Sequence, residues 1–463
     1  MIHPLLRSLA VATLLAGCAS LRHEPPPAAA FVVLAEEGAP SARAVTTAST
    51  CPTIAIDGRT MTMAVRAPFG AIPLRGRDHS TGFHAEAVSN PVLSCETPLP
   101  AGAKQVAVAG RPLPLPAAEV KRIVVIGDTG CRLKGKEFQD CNDPQAYPFA
   151  RVAASAAAWK PDLVVHVGDF HYREDPCPAD HHGCAGSPYG YGWDAWNADF
   201  FAPARSLLAA APWVLARGNH ETCARGGQGW WRFLDAHAYD PAANCDDPAA
   251  DERADYTDPY AVPLGAGAQL IVFDSANTSW KGFEPGDTRI GHYTDTWRKI
   301  EGLALRQRYN IAVDHHPLYG FGANRDARTG AITLFGGDAG LTQVFGALDA
   351  RLLPSTIDML LSGHVHLWEQ TSFGSAHPTQ FVAGFAGTAE DIVPLPQTPP
   401  AGQSPAPGAV LEAMSSWIDG FGFMTMERTG PDTWRVVVHD RDGKERNTCT
   451  VEGRHSRCAV PQV

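Results

Sequence analysis

Five short motifs in this chain combine aspartate, asparagine and histidine in a way that could bind metal ions. Carboxylate, amide and imidazole groups are common metal ligands, and imidazoles also transfer protons. A single Gly-Asp pair usually marks only a turn, but five such motifs in one chain are hard to explain as turns. The motifs are, in chain order, Gly127-Asp128-Thr129-Gly130, Gly168-Asp169-Phe170-His171-Tyr172, Gly218-Asn219-His220-Glu221, Asp314-His315-His316-Pro317 and Gly363-His364-Val365-His366.

Each motif closely follows an apolar run that predicts a buried β-strand. An Ala-rich stretch at residues 149–159 predicts a helix between the first two runs. Alternating strands and helices with fully apolar strands are typical of an α/β domain with covered sheets. Because such sheets collect loops at the carboxyl ends of their strands, the motifs are expected to meet at one site. The predicted strands are residues 122–126, 163–167, 213–215, 270–273, 310–313 and 357–361.

Over residues of about 120–440, the five motifs resemble those of the metallophosphoesterase (calcineurin-like) superfamily. Most members of that superfamily begin with Asp-x-His, whereas Gly130 stands at the position of this His. Tyr172, three residues after Asp169, is an additional candidate ligand. This combination of a lost His and a gained Tyr is similar to the purple acid phosphatases. The resemblance implies an α/β/β/α sandwich for the catalytic domain.

The resemblance also implies two metal sites that share Asp169. One set of ligands would be Asp128, Asp169, Tyr172 and His366, and the other would be Asp169, Asn219, His315 and His364. A phenolate, two carboxylates and one imidazole form a hard, anionic set that suits Fe(III). A neutral amide and two imidazoles suit a divalent ion, namely Zn, Fe or Mn. The expected cofactors are therefore two metal ions, with Fe(III) at the tyrosinate site.

The other polar residues near these motifs are expected to have roles other than metal binding in most cases. His220 would face the substrate and protonate or stabilise the leaving alkoxide, and Glu221 could orient His220. His316 could contact phosphate or serve as a hydrogen-bonded support. His171 competes with Tyr172 as a ligand, and Asp274 is expected to be a structural cap.

The function implied by the resemblance is hydrolysis of phosphate esters, with monoesters preferred. A hydroxide held by the two metals would attack phosphorus in line while His220 assists the leaving group. One alternative is a phosphodiesterase or nucleotidase of the same superfamily. Another is a non-catalytic, lipid-anchored surface binding protein.

Composition limits the partners of this chain of 463 residues. With 38 basic and 49 acidic residues the formal net charge is −11, which argues against nucleic acid as a partner. A small phosphate ester is compatible with this charge, because metal ions can supply local positive charge. Nothing in the sequence indicates an oligomeric state.

The N-terminal residues predict an exported lipoprotein. Residues 1–18 form a signal peptide that ends in the lipobox Leu15-Ala16-Gly17-Cys18, although an ordinary secretory signal with a chance cysteine is an alternative. The protein would then touch the membrane only through a lipid anchor, on the periplasmic side or at the surface of a bacterial envelope. Behind the signal we expect an Ala/Pro-rich tether (19–50), a small β module (51–115), the catalytic domain (116–446) and a disulfide-closed tail (447–463).

The ten cysteines after Cys18 form neighbouring pairs in the sequence. An even number of cysteines in an exported chain indicates disulfides, and zinc binding is disfavoured because no C-x-x-C pair is present. Three of the pairs begin just after metal motifs, so their disulfides would also hold those loops. The expected pairs are Cys51–Cys95, Cys131–Cys141, Cys177–Cys184, Cys223–Cys245 and Cys449–Cys458.

Overall fold

The computed structural model describes residues 26–72, 88–326, 328–389, 393–396 and 402–459. Two large β-sheets pack face to face, and helices cover their outer faces. This arrangement confirms the predicted α/β/β/α sandwich. It also confirms an N-terminal region built of β-strands.

The first sheet has eleven strands. Its four central strands, at Arg122–Ile126, Leu163–His166, Trp213–Leu215 and Ala29–Leu34, run parallel, and the strands on both sides are antiparallel. In spatial order the strands are His455–Cys458, Glu445–Glu452, Thr433–Asp440, Gly422–Arg428, Arg122–Ile126, Leu163–His166, Trp213–Leu215, Ala29–Leu34, Pro40–Thr46, Leu93–Pro98 and Ala64–Ala67.

The second sheet has seven strands and repeats this plan, with a parallel centre and antiparallel edges. In spatial order the strands are Tyr260–Gly265, Ala268–Val272, Tyr309–Val313, Met359–Ser362, Thr379–Ala383, Trp368–Phe373 and Leu411–Trp417. The parallel strands of both sheets include all six strands predicted from apolar runs; two have the predicted ends, and the ends of the other four differ by one or two residues.

Smaller elements surround the two sheets. A four-stranded sheet contains Arg111–Pro112, Val106–Val108, Thr53–Ile56 and Arg59–Thr62. Three two-stranded pairs are Leu133–Lys134 with Glu137–Phe138, Gly322–Arg325 with Ile332–Phe335, and Gly70–Ile72 with Val88–Asn90. The α-helices are Phe149–Ala158, Trp193–Trp196, Arg205–Leu208, Gly227–Gly229, Asp251–Ala254, Thr288–Ala304 and Ala339–Leu348. Asn197–Phe201 and Trp230–Leu234 are π-helical, and Glu36–Gly38, His182–Cys184, Asn219–Glu221 and Pro248–Ala250 are 3₁₀ turns.

Strand alternation explains how the layers pack. Ile123 and Val125 point into the core between the two sheets, together with Ile311 of the second sheet. Val124 and Ile126 point the other way, towards the buried face of helix Phe149–Ala158. Since successive side chains of a strand face opposite sides, an entirely apolar strand is covered on both faces. The sheets are therefore held rigidly, and the loops at their strand ends have fixed starting points.

The predicted tether at residues 19–50 is wrong for the part that the structure describes. Ala29–Leu34 and Pro40–Thr46 are strands of the first sheet, and Val33 pairs with Trp213 in the parallel centre. Phe31 and Val32 are completely or almost completely buried. The apolar run 31–34 therefore outweighs the Ala/Pro-rich composition that suggested a tether. The signal peptide and Cys18 lie outside the described residues.

Two predicted domain boundaries also differ from the structure. Leu93–Pro98 and Ala64–Ala67 belong to the β module by sequence, but they extend the first sheet. At the other end, Glu445–Glu452 and His455–Cys458 continue the same sheet as a hairpin and do not form a separate tail. The reason is that sheet edges offer unpaired backbone groups, which neighbouring segments of the chain satisfy.

All five predicted disulfides are present. Cys131–Cys141, Cys177–Cys184 and Cys223–Cys245 close loops that follow the first three motifs. Within the described residues, no helix combines the length and apolarity needed to cross a membrane.

Candidate metal centre

The five motifs leave the carboxyl ends of parallel strands and converge between the two sheets. Their glycines are required because the loops approach one another closely. A Cβ atom on Gly218 would lie 2.1 Å from Asp169 Oδ1, and one on Gly168 would lie 2.6 Å from His315 Nδ1. Both distances are far below van der Waals contact. The glycines that precede Asp169 and Asn219 therefore allow the side chains of neighbouring motifs to meet.

Three of the candidate ligands have a left-handed backbone. Asp128, Asp169 and His364 have φ values of 55°, 59° and 69°. This region is uncommon for residues other than glycine, although Asp and His adopt it more readily than most. Such conformations often mark functional sites, because the surrounding fold must hold them in place. Here they turn the two carboxylates and the imidazole towards a common point.

The first candidate ligand set is gathered around the phenol oxygen of Tyr172. This oxygen lies 2.9 Å from Asp128 Oδ1, 2.8 Å from Asp169 Oδ2 and 3.0 Å from His366 Nε2. His366 Nε2 is also 3.2 Å from Asp128 Oδ1. The structure thus brings together all four residues predicted for this set.

The second candidate ligand set is gathered around the side-chain oxygen of Asn219. His315 Nε2 and His364 Nδ1 each lie 3.0 Å from Asn219 Oδ1. His315 Nε2 is also 3.2 Å from Asp169 Oδ2. Asp169 therefore contacts both sets, as expected of a bridging carboxylate.

The charges in this cluster fit bound cations. Two carboxylates lie within hydrogen-bond distance of the Tyr172 hydroxyl, but its single proton can satisfy only one of them. Burial, together with Asp128 and Asp169, raises the pKa of Tyr172 well above its usual value. Burial disfavours the charged form of His315, but Asp169 outweighs this effect and raises its pKa to about 9. Metal ions would replace these protons and neutralise the crowded acceptors, so the donor set fits a two-metal site.

The space around Gly130 explains why the usual histidine is missing. A Cβ atom at this position would lie 2.8 Å from the Tyr172 backbone nitrogen and 3.0 Å from the Phe170 carbonyl oxygen. Asp199 occupies the same region, and its Oδ2 accepts the Tyr172 N–H at 2.7 Å. A histidine at residue 130 would displace the segment that carries Tyr172. The loss of one ligand and the gain of the other are therefore sterically linked.

His220 lies beside the first ligand set. Its backbone N–H donates to Asp169 Oδ1 at 2.8 Å, while its Nε2 is 3.9 Å from Asp169 Oδ2. At the other side of the ring, Nδ1 lies 2.6 Å from Glu174 Oε1 and 2.6 Å from Arg225 Nη2. It is also 3.0 Å from the carbonyl oxygen of His171. Burial and Arg225 lower the pKa of His220 to about 3, against the opposing influence of Asp169 and Glu174.

The predicted role of Glu221 needs correction. Its carboxylate does not orient His220 but accepts backbone N–H groups of Gly218, Asp169, Phe170 and His171 at 2.9–3.2 Å. Glu221 therefore holds the loop of the second motif in shape. The acidic partner of the His220 ring is Glu174. The reason is geometric, because Glu221 follows His220 in a 3₁₀ turn and points back towards the neighbouring strand end.

The remaining predicted residues are placed as follows. His316 Nδ1 lies 3.2 Å from Ser275 Oγ, and a ring nitrogen of His316 is within 4.8 Å of those of His315 and His364. His171 stacks on Trp196 with ring centroids 5.3 Å apart, so it packs in the aromatic core rather than beside Tyr172. Asp274 accepts the Thr257 and Ala276 N–H groups, which fits the predicted structural cap.

A cleft of about 290 Å³ opens over both ligand sets. One wall carries the basic residues Arg132 and Lys134, and another is the hairpin Gly322–Arg325 with Ile332–Phe335. The floor includes candidate ligands and His220. The lining residues at this floor are Asp169, Tyr172, Asn219, His220, His364 and His366.

Four charged residues near the site were missed by the sequence reasoning. Glu174 and Arg225 contact His220, and Arg132 and Lys134 line the cleft. A usable signal was present for all four, because each closely follows a motif in the sequence. Glu174 follows Tyr172 by two residues, and Arg132 and Lys134 follow the first motif within four residues of Gly130. Arg225 likewise follows Glu221 of the third motif by four residues, although only the fold brings it to Glu174.

Comparison with known proteins agrees with this geometry. Residues 121–367 match the family model of the calcineurin-like phosphoesterases. In overall structure the chain is similar to purple acid phosphatase PPD1 from yellow lupin (Lupinus luteus) seeds, with a TM-score of 0.54 and 15% sequence identity, covering 92% of this chain and 74% of that one. It is also similar to PhoD, with a TM-score of 0.49, 11% identity and coverage of 94% and 93%. No curated protein matches the sequence significantly.

The family match extends over more than half of the chain and contains all five motifs, ending one residue after His366. The structure places the same motifs around one cleft with a donor set that fits metal ions. The chain therefore belongs to the calcineurin-like phosphoesterase family, the metallophosphoesterases, which are metal-dependent hydrolases of phosphate esters.

Proposed function

We propose that this protein hydrolyses small phosphate monoesters at a binuclear metal centre. The observation that supports this most strongly is the convergence of seven donor residues into two adjacent sets that share Asp169. A single-metal site would not need two sets of this size around one carboxylate. The adjoining cleft of about 290 Å³ lies at the lower end of ligand-pocket sizes, which favours a small ester.

The two sets differ in the charge that they can balance. Asp128, Asp169, Tyr172 and His366 would hold Fe(III), because a phenolate and two carboxylates together carry three negative charges when ionised. The second set adds a neutral amide and two imidazoles to Asp169 and suits Zn, Fe or Mn in the divalent state. Two such cations supply Lewis-acid chemistry, lowering the pKa of water and neutralising the phosphoryl oxygens.

The residues of the chain itself place the substrate and assist the leaving group. The His171 carbonyl and Glu174 fix the Nδ1 side of the His220 ring, so that Nε2 is directed to the cleft. Because Nδ1 faces these two oxygens, donation of a proton from Nε2 to the departing ester oxygen requires the doubly protonated ring, the form that Asp169 and Glu174 favour. Glu221 and Asp199 act through the backbone, since they hold the loop that carries Asp169 and Tyr172. No nucleophilic side chain of the protein is needed for this reaction.

Metal analysis combined with a comparison of two substrates tests this function. The purified protein, supplied with iron and zinc, should bind two metal ions and hydrolyse phenyl phosphate faster than diphenyl phosphate. Faster hydrolysis of the diester, or of a nucleotide, would support the alternative of a phosphodiesterase or nucleotidase. Full metal occupancy without hydrolysis of any ester would support a non-catalytic binding protein.

We also propose that the protein is anchored to a bacterial envelope through a lipidated Cys18. This proposal is supported by the lipobox at residues 15–18 and by the five disulfides, which form in oxidising compartments. Replacement of Cys18 with serine, followed by fractionation of soluble and membrane-bound protein, tests this proposal.

A further inference from the structure

Two basic residues of the cleft are not explained by metal binding. Arg132 and Lys134 belong to a short segment, residues 132–138, that we term the basic hairpin. Its strands Leu133–Lys134 and Glu137–Phe138 pair with each other, and the disulfide Cys131–Cys141 closes the loop. Arg132 forms an ion pair with Glu137. Lys134 lines the cleft as well, although the hairpin contributes none of the candidate metal ligands.

The basic hairpin is fixed directly to the segment that carries Tyr172. The Leu133 N–H donates to the Tyr172 carbonyl at 3.0 Å, and the Leu133 carbonyl accepts the N–H groups of Glu174 and Asp175 at 3.1 and 2.9 Å. Asp175 Oδ2 also accepts the Gly135 N–H at 2.6 Å. Hydrogen bonds therefore fix Leu133 and Gly135, the two neighbours of Lys134 in the chain. They fix the point from which the Lys134 side chain extends beside the candidate metal centre.

The position of Lys134 is electrostatically unfavourable in the free protein. Its side chain is half-buried, and burial together with Arg225 and Arg132 lowers its pKa. Glu174 and Asp169 oppose this shift, but the Glu174 carboxylate is engaged with Arg225 and His220, and Asp169 contacts both candidate ligand sets. A partly desolvated cation beside two arginines costs free energy unless an anion joins it. This arrangement is suited to receiving negative charge from a ligand.

The basic hairpin lies on the leaving-group side of the cleft. Lys134 is close enough to Glu174 and Arg225 to interact with both charges, and these two residues hold the His220 ring. His220 is the residue proposed to assist the departing oxygen. A group attached to that oxygen would therefore extend towards Lys134 rather than towards His316, which packs against the second ligand set.

We propose that Lys134, with Arg132 beside it, binds a second anionic group on the leaving portion of the substrate. The preferred substrates are then small phosphate monoesters whose alcohol portion carries a carboxylate or another phosphate-like acid. This inference rests on the proposed monoesterase function and adds the class of substrate to it. Lys134 acts as a specificity-determining residue, because it contacts the part of the substrate that leaves.

Three matched aryl esters test this proposal with the metal-loaded enzyme. The probes are meta-carboxyphenyl phosphate, its methyl ester and the corresponding meta-phosphonophenyl phosphate. The wild-type kcat/KM should be on the order of tenfold higher for an acidic probe than for the methyl ester, as expected for one charge-assisted hydrogen bond. The two acidic probes distinguish a carboxylate from a phosphate-like group as the preferred anion.

Substitution of Lys134 assigns the preference to this residue. Lys134→Met keeps the length of the side chain and should lower the ratio of acidic to ester kcat/KM by about tenfold, whereas Lys134→Arg should retain the preference. Lys136→Met is the matched control, because Lys136 lies exposed in the turn of the same hairpin and does not line the cleft. The control should leave the ratio unchanged.

The outcomes separate this inference from the function on which it rests. Hydrolysis of all three probes with equal kcat/KM by the wild type would overturn the anionic subsite and leave the monoesterase function intact. An equal loss for all probes in Lys134→Met would place Lys134 on the transferred phosphoryl group and also overturn the subsite. If the wild type hydrolyses none of the probes at full metal occupancy, the proposed function itself fails, and the subsite with it.

Discussion

His220→Ala should lower turnover strongly without removing the metal ions. The contact between this residue and Asp169 is made by the backbone N–H at 2.8 Å, and alanine keeps that hydrogen bond. The side chain contributes only the imidazole that faces the cleft. Glu174 remains paired with Arg225 after the substitution, so no buried carboxylate is left without a cation. We therefore expect two bound metals and a folded protein.

The size of the loss follows from the role of the imidazole. A lost general acid typically costs 10²–10⁴ in rate, or about 3–5 kcal/mol in the activation free energy. The need for proton donation falls as the leaving group becomes a weaker base. The loss should therefore be largest for an alkyl phosphate and should shrink to about tenfold or less for a nitrophenyl phosphate.

Steady-state kinetics with a series of leaving groups and metal analysis of each sample provide the measurement. His182→Ala is the matched control, because His182 is an exposed histidine and should have wild-type kinetics. A loss of the same size for every leaving group would refute the role in leaving-group assistance. Loss of one metal ion in His220→Ala would instead show that the imidazole is a ligand.

Asp169→Ala should abolish activity and metal binding together, because Asp169 Oδ2 lies 2.8 Å from the Tyr172 phenol oxygen and 3.2 Å from His315 Nε2 and so contacts donor atoms of both ligand sets; two metals per chain in this variant would contradict the assignment. Tyr172→Phe should bleach the visible phenolate-to-Fe(III) charge-transfer band of the oxidised protein while the other six ligands remain, and a colourless wild type at full iron occupancy would rule out Tyr172 as a ligand. Replacing Cys131 and Cys141 with serine should lower the free energy of unfolding by roughly 2–3 kcal/mol, measured by denaturant titration, since the cysteines are separated by 10 residues. Cys18→Ser should release a soluble exported protein or block processing, and a processed variant that stays in the membrane fraction would contradict lipidation.

Local chemistry explains why most of the site was predictable from sequence. An apolar strand followed by Gly and a metal-binding side chain is encoded in about seven consecutive residues, as in the segments 122–128 and 163–169 that end at Asp128 and Asp169. Parallel strands then bring such loops to one edge of a sheet whatever the details of packing. The five disulfides were equally predictable, because each joins neighbouring cysteines.

Contacts between distant segments were not predictable in the same way. Val33 pairs with Trp213 across 180 residues, and no local pattern near either residue indicates the other as its partner. The Ala/Pro-rich composition of residues 19–50 therefore suggested a tether where the structure has two strands. Residues 31–34 form a strand because they are buried in a sheet whose other central strands come from much later in the sequence, at residues 122–215.

The same limit applies to the surroundings of His220. The sequence alone determined that this imidazole stands beside a candidate ligand, because Asn219 and His220 are adjacent. Only the tertiary structure decided that Glu174 and Arg225, rather than Glu221, contact its ring. A side chain's partners depend on the directions in which several separate loops point, and those directions are set by packing between the two sheets. Residue type and spacing therefore specify which chemistry is present, whereas packing specifies which groups orient it.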